Sequence, residues 1–207
     1  MEKKREVPSF MRKCLAVDAY LTDVIAKWAE QSSYLKQLKI YHKVLWISSH
    51  AIVWLMTNLA LIWIIANPNL YQMQVNLMLG LILDIIVIAV LKALTRRRRP
   101  STNNSLSSKK DSFPSGHSAR AAFVVYFFIN LWPVHMICVP SLLAWSFSVC
   151  FSALISRSHH IFDVAAGVVV GIFEGLLMGY LYLDQETCTK FIWWITDEKL
   201  SGPDYDV

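Results

Sequence analysis

The feature that most constrains this chain is its series of long apolar segments. Segments long enough to cross a bilayer run at about 44–66, 75–95, 134–155 and 161–183, and a shorter one covers about 115–131. A hydrocarbon core about 30 Å thick needs roughly 20 apolar residues of helix. Of the 207 residues, 55% are hydrophobic and only 17% are charged. The pattern predicts an all-α, multi-pass transmembrane helical bundle with about five spans.

An amphipathic helix is predicted before the first span. Its apolar side chains recur at helical spacing with polar residues between them, and they are Val17, Leu21, Val24, Ile25 and Trp28. The segment is too polar to span, so we expect it either to lie along the membrane surface or to pack on the end of the bundle. The predicted organisation is a basic segment at 1–43, a membrane-embedded core at 44–183 and an acidic tail at 184–207.

Three polar clusters lie at the ends of the apolar segments. They are Lys92 with Arg99-Pro100, Pro114-Ser115-Gly116-His117, and His159 with Asp163. The connectivity of the spans brings these ends to one face of the membrane. Two cations, a turn that can hold phosphate, two histidines and a carboxylate are what phosphoryl transfer through a histidine nucleophile needs.

The turn at 114–117 opens a predicted helix and suits an anion. Free backbone amides point outward at the positive end of the helix dipole, Gly116 lets the backbone approach closely, and Ser115 adds a hydroxyl. His117 fits the general acid that protonates a leaving oxygen. Lys92 and Arg99, seven residues apart, are predicted to bind phosphate oxygens.

His159 and Asp163 are spaced i, i+4 at the start of the last span, so they share a helix face. A carboxylate there can accept one ring N–H and leave the other nitrogen free to attack phosphorus. His160, three residues before Asp163, could also contact it. Spacing alone therefore leaves the choice of histidine open.

The motifs L-x-R-R-R-R-P, S-F-P-S-G-H-x-x-R-A-A and R-x-H-H-x-x-D-V resemble those of the type 2 phosphatidic acid phosphatase and vanadium haloperoxidase superfamily. Their detail is most similar to its small polyisoprenoid (presqualene) diphosphate phosphatase branch. The resemblance implies that His159 is the nucleophile, that Asp163 orients it, and that His160 is only a neighbour. It also implies phosphate hydrolysis through a phosphohistidine without a metal or cofactor.

One position departs from that family. Its third motif usually carries an arginine six residues before the nucleophile, and this chain has Ala153 there. Arg157 could supply the charge from a displaced position, as could Arg120, one helical turn after His117. Arg120 could equally extend to the membrane surface. Without either, stabilisation of the transition state would weaken by several kcal/mol.

Two carboxylates, Asp84 and Glu174, fall deep within predicted spans. Intramembrane carboxylates are costly and usually face inward. They are predicted either to line the floor of a lipid cavity or to be protonated and hydrogen-bonded in the core.

Basic residues predict which side of the membrane the motifs face. Sixteen Lys and Arg precede the first span or lie in the loops on the motif face, against two on the other side. Nine against two remain when the motif loops are discounted, so the positive-inside rule places the motifs in the cytosol. The four cysteines show no metal-like spacing and are predicted to be reduced.

The sequence and its resemblance to this family therefore predict an integral membrane lipid phosphatase that acts on isoprenoid diphosphates or monophosphates. Its active site is expected to face the cytosol, in the membrane of the endoplasmic reticulum or nuclear envelope. The expected partners are the lipid substrate and the bilayer, without nucleic acid. Two alternatives stay open. One is a phosphatidate or lysophosphatidate phosphatase, and the other is a catalytically dead membrane scaffold, which Ala153 favours.

Overall fold

The computed structural model describes residues 9–95 and 112–200. These residues form eight α-helices and no strand, which confirms the all-α class. The helices are α1 (Ser9–Gln31), α2 (Ser33–Ser48), α3 (Ala51–Ile65), α4 (Pro68–Thr95), α5 (Gly116–Tyr126), α6 (Val139–Ile155), α7 (Ile161–Tyr180) and α8 (Gln185–Leu200). A π-helical segment (Phe127–Leu131) extends α5, and a 3-10 turn (Met136–Cys138) precedes α6.

The centre of the bundle is the pair formed by α5 and α7. Glycines recur every fourth residue along one face of α7, so the two backbones approach closely. A methyl group added at Gly167 would meet the Ser115 carbonyl, and one at Gly171 would meet the Ala119 carbonyl. This close approach fixes the start of α5, which carries His117, beside the start of α7, which follows His159.

An apolar core below this pair holds α4 against α5 and α7. Its fully buried members are Leu77, Leu81, Phe123, Val124, Phe127 and Met178. Aromatic rings fill much of it, and Phe123 and Phe127 lie 6.1 Å apart between ring centroids.

Within the described residues, three helices are long and apolar enough to cross a membrane: Pro68–Thr95, Met136–Ile155 and Ile161–Tyr180. A fourth candidate is the pair Tyr41–Ser48 and Ala51–Ile65, which is bent by 56°. The prediction of about five spans included 115–131 as a span. That segment is α5 with its π-helical extension, at most about 24 Å long, and it is enclosed by other helices.

The N-terminal helix α1 packs on the bundle with its polar and small side chains. Asp18, Thr22, Ala26 and Ala29 are buried, whereas the predicted apolar stripe, including Val17 and Trp28, faces outward. The helix therefore packs on the bundle through one face, a contact that both predicted positions allow. The outward stripe leaves an apolar surface on the same helix, as expected where lipid rather than water surrounds a protein.

Candidate active site

A cavity of about 290 Å³ opens between α2, α5, α6 and the loop that connects α6 to α7. It receives both histidines predicted to do chemistry, His117 and His159. The residues that line it are His42, Lys43, Trp46, Ser49, His117, Val149, Ser152, Ala153, Ser158 and His159.

His159 is buried and its ring is fixed by a main-chain contact. Its Nδ1 lies 2.8 Å from the carbonyl oxygen of Ser112. A carbonyl oxygen can only accept, so Nδ1 must carry the proton in this hydrogen bond. In the neutral ring, Nε2 then holds the lone pair, as a nucleophile requires.

Asp163 acts on His159 less directly than the spacing predicted. Its Oδ2 lies 3.9 Å from His159 Nδ1, too far for a hydrogen bond. The same oxygen instead accepts from the Ser112 hydroxyl and from the His160 backbone N–H at 2.9 Å. Asp163 thus holds the residue whose carbonyl binds the ring of His159.

The reason is that His160 is the N-cap of α7 and Asp163 is its third residue. The two form a capping box, in which each side chain is paired with the backbone of the other residue. That pairing turns the carboxylate toward His160, whose Nδ1 lies 3.2 Å from it. His160, expected to be a mere neighbour, is therefore part of the frame of the site.

His117 lies in the first turn of α5, where the Pro-Ser-Gly-His turn places it. Its ring centroid is 5.4 Å from that of Trp46 and 6.0 Å from that of His50. Its Nε2 is buried and has no hydrogen-bond partner among the described residues. A buried ring nitrogen beside a polar cavity is suited to a ligand that brings the missing partner.

Ser115 and Gly116 lie behind His117 and do not line the cavity. Ser115 is the N-cap of α5, and its hydroxyl accepts from the Ser118 N–H at 3.4 Å and pairs with the Ser118 hydroxyl at 2.9 Å. Its own N–H donates to the Asp163 carbonyl at 2.9 Å. The predicted phosphate-binding hydroxyl is thus used to begin the helix.

The two arginines proposed to replace the missing one point elsewhere. The Arg120 guanidinium is buried, with Nη2 2.5 Å from the Asp84 carboxylate and Nη1 2.8 Å from the Ser49 carbonyl. Arg157 bonds Asp23 of α1 at 2.7 Å and approaches Glu30 to 4.0 Å. Neither arginine lines the cavity.

Arg157 belongs instead to a second, smaller cavity of about 170 Å³, together with Thr22, Asp23 and His160. It adopts a left-handed backbone conformation with φ of 54°, which turns the chain between α6 and α7. Two cations hold the pKa of the Asp23 carboxyl below its ordinary value: the hydrogen bond from Lys27 has the larger effect, and Arg157 has the smaller one. The ion pair therefore links α1 to the loop that carries His159.

Lys92 and Arg99 are the remaining predicted cations. Lys92 lies in the last turn of α4, half-buried, and outside the wall of the cavity. Arg99 lies outside the described residues.

Asp84 and Glu174 lie in the core rather than along the cavity. Asp84 pairs with Arg120, and the Glu174 oxygens are buried without a donor among the described residues. The ion pair attaches α5 to α4 one helical turn beyond His117. Of the two alternatives predicted for these carboxylates, the core location is the one observed.

The sequence did not point to the wall formed by α2. Three residues of α2 (His42, Lys43 and Trp46) and its C-cap residue Ser49 line the cavity. His42 Nδ1 lies 3.3 Å from the Ser152 hydroxyl of α6. The polar triplet Ser48-Ser49-His50 inside an apolar run was the available indication, because it marks the 56° bend that tips α2 over the site.

No group of three or more His, Cys, Asp or Glu side chains in the described residues could hold a metal ion.

These features define a helical membrane protein that presents two histidines from helix starts to one polar cavity. The sequence profile of the PAP2 superfamily matches residues 73–186. This is more than half of the chain, so the chain belongs to that superfamily, as its motifs predicted.

Two further comparisons agree with this assignment. The chain is 28% identical over 150 residues to the probable lipid phosphate phosphatase beta of Arabidopsis thaliana, covering 58% of this chain and 70% of that protein. It is also similar to the crystal structure of Aquifex aeolicus LpxE, with a TM-score of 0.58 and 16% identity, covering 77% of this chain and 92% of the other. At that identity the second likeness concerns the fold alone.

Proposed function

We propose that this protein is an integral membrane lipid phosphatase that works through a phosphohistidine intermediate. The observation that carries the proposal is the pair of histidines on one cavity. His159 has its Nδ1 held by a carbonyl, and His117 has a buried Nε2 with no partner in the described residues. The name of the Arabidopsis relative, a probable lipid phosphate phosphatase, supports the same class of substrate.

The proposed reaction has two steps. In the first, the lone pair on His159 Nε2 attacks phosphorus, the phosphorus–oxygen bond to the leaving group breaks, and protonated His117 gives its proton to that oxygen. In the second, water attacks the phosphorus of the phosphohistidine and His117 takes a proton from the water. The bond between phosphorus and His159 Nε2 breaks, its electron pair returns to the ring, and inorganic phosphate leaves. Both histidines are then in their starting states.

Asp163 has a positioning role in this scheme. It binds the Ser112 hydroxyl and the backbone of His160, and Ser112 in turn fixes the ring of His159. The carboxylate also sets a negative charge 3.9 Å from His159 Nδ1. That charge stabilises the positive ring that forms when Nε2 is bonded to phosphorus.

For the substrate we propose isoprenoid diphosphates or monophosphates. The motif detail supports this branch, and so does the excess of basic residues on the motif face, which by the positive-inside rule favours a cytosolic site. The membrane would be that of the endoplasmic reticulum or nuclear envelope. The alternative is a phosphatidate or lysophosphatidate phosphatase. The charge count disfavours it, because those relatives typically work at the other face of the membrane.

A catalytically dead scaffold is the second candidate, and a specific observation favours it. Ala153 replaces the expected arginine, while Arg120 and Arg157 are both engaged with carboxylates away from the cavity. The intact pair of histidines favours the enzyme.

Purified protein in detergent tests these candidates directly. We expect phosphate release from farnesyl or presqualene diphosphate to exceed that from phosphatidate, to survive EDTA and to be inhibited by vanadate, which mimics five-coordinate phosphorus. Strict dependence on Mg²⁺ would refute the mechanism. No phosphate release from any of the three lipids would support the scaffold.

Glycosylation tests the proposed orientation. Asn103-Asn104-Ser105 is an acceptor sequence between the first two motifs, outside the described residues. With a cytosolic site it stays unmodified, and a sequence engineered after Asp204 in the tail acquires the glycan. The opposite pattern would overturn the orientation and favour phosphatidate.

A further inference from the structure

The cavity needs a positive charge that α6 does not supply. A phosphoryl group carries negative charge that grows on its oxygens during transfer, so a cation close to it contributes strongly to catalysis. Ala153 lines the cavity where the superfamily resemblance predicts an arginine. Its methyl group offers no charge.

A cation from α2 lines the same cavity. Lys43 of α2 lines the same cavity as Ala153, and among the described lining residues it is the one lysine or arginine. The cavity wall in this part of the chain contains no Asp or Glu. The lysine therefore adds positive charge to the cavity without a carboxylate there to cancel it.

The position of Lys43 is set by contacts between α2 and α6. Its neighbour His42 lies 3.3 Å from the hydroxyl of Ser152, the residue immediately before Ala153. Below them, the Arg120 guanidinium binds the Ser49 carbonyl at the end of α2. These two contacts hold α2 beside the segment of α6 that carries Ala153.

We propose that Lys43 binds the phosphate of the substrate in place of the arginine that α6 lacks. The charge would then come from α2 and not from α6. This inference rests on the proposed phosphatase function. A lysine is a point charge on a flexible stem, whereas an arginine binds two oxygens in a fixed geometry. Lys43 thus meets phosphate without requiring the orientation that an arginine on α6 would impose.

A double-mutant cycle tests the proposal in the full-length protein. We expect Lys43→Ala to lower kcat/KM by about 100-fold, the loss typical of one charge-stabilising donor, and Lys43→Arg to lower it much less. Ala153→Arg should give no gain in the wild type but should recover about tenfold in the Lys43→Ala background, because the two cations replace each other. Lys13→Ala, which removes an exposed lysine of α1, is the matched control and should retain full activity.

Binding of inorganic phosphate provides a readout that does not need turnover. Phosphate should raise the melting temperature of the wild type and of the Lys43→Arg variant, and should leave that of Lys43→Ala unchanged. Unchanged kcat/KM and unchanged phosphate stabilisation in Lys43→Ala would overturn the inference. If the wild type releases no phosphate from lipids, the phosphatase proposal fails, while the melting shift still decides whether Lys43 binds phosphate.

Discussion

The starts of α5 and α7 carry the two histidines of the site, and they are built in different ways. At α5, the hydroxyl of the N-cap residue Ser115 pairs with the hydroxyl of Ser118, three residues later. At α7, the first two backbone amides are bound by α1. Phe162 N donates to Asp18 Oδ1 at 3.0 Å, and Ile161 N donates to Thr22 Oγ1 at 3.2 Å.

The difference shows that α1 belongs to the frame of the site. Helix starts leave backbone N–H groups without internal partners, and two of those of α7 are satisfied by side chains about 140 positions away in sequence. Both side chains are buried, and both lie directly beside the loop that ends in His159 and His160. Contacts from α1 therefore hold the first residues of α7, which follow the proposed nucleophile, whereas the start of α5 is capped by its own turn and held to α7 through the Ser115 N–H and the Asp163 carbonyl.

The largest effect is expected from replacing the nucleophile. His159→Asn should reduce phosphate release to background, because Nε2 is the atom that bonds phosphorus. His160→Asn should retain substantial activity, since asparagine preserves the N-cap of α7. Rapid quench with radiolabelled substrate checks this through the acid-labile phosphoenzyme. A phosphoenzyme in the His159 variant, or equal loss in both variants, would contradict the assignment.

The next effect concerns the proton donor at the start of α5. His117→Ala should lower kcat by about 10²–10⁴-fold. The loss should be smaller for diphosphates than for monophosphates, because their leaving group is a phosphate ester of low pKa that needs less protonation. Steady-state rates on matched diphosphate and monophosphate lipids provide the measurement. An equal loss on both substrates would point to a structural role for His117.

The sequence predicted the α5 start well because its information is local. Pro114 to His117 are consecutive, so the start of the helix and the histidine that it carries follow from one short motif. The glycines of α7, whose role in the α5–α7 contact the structure shows, were not used in the prediction. The α7 start was incompletely predicted, since Asp18 and Thr22 resemble ordinary polar positions of an amphipathic helix. The α2 wall was missed for a related reason. Lys43 was counted as a cytosolic charge, and only the bend after Ser48 brings it over the cavity.

The role of α1 gives the third prediction. Asp18→Ala leaves the Phe162 amide without its acceptor, so we expect a loss of about 1–2 kcal/mol and a roughly tenfold drop in kcat. KM should change little, because α1 does not line the cavity. Thr22→Val should behave similarly, and Thr22→Ser should restore activity through its hydroxyl. Lower stability with kcat unaltered would show that α1 braces the fold without positioning His159.

Substitutions of Ser115 distinguish a capping role from a phosphate-binding role at the start of α5. As an N-cap, Ser115→Ala should lower stability by about 1 kcal/mol and leave kcat/KM close to that of the wild type. Ser115→Asp should recover part of the stability because aspartate also caps. Melting temperatures and kinetics measured on the same preparations separate the two roles. A large loss of kcat/KM at full stability would instead assign the hydroxyl to the substrate.

The smallest effect is expected from the ion pair between Asp23 and Arg157 on the surface of the α1 contact. Lys27 and then Arg157 lower the pKa of Asp23 from its ordinary value of 3.8. A carboxyl with a lowered pKa stabilises the fold above its ordinary pKa, and that stabilisation is lost as the pH falls through the lowered value. Asp23→Asn should therefore be slightly less stable than the wild type by a constant amount between about pH 5 and 8. Melting curves across this range test the point, with Glu186→Asn on the distant α8 as the control. A difference that grows or vanishes within the range would mean that another group in the α1 contact titrates there.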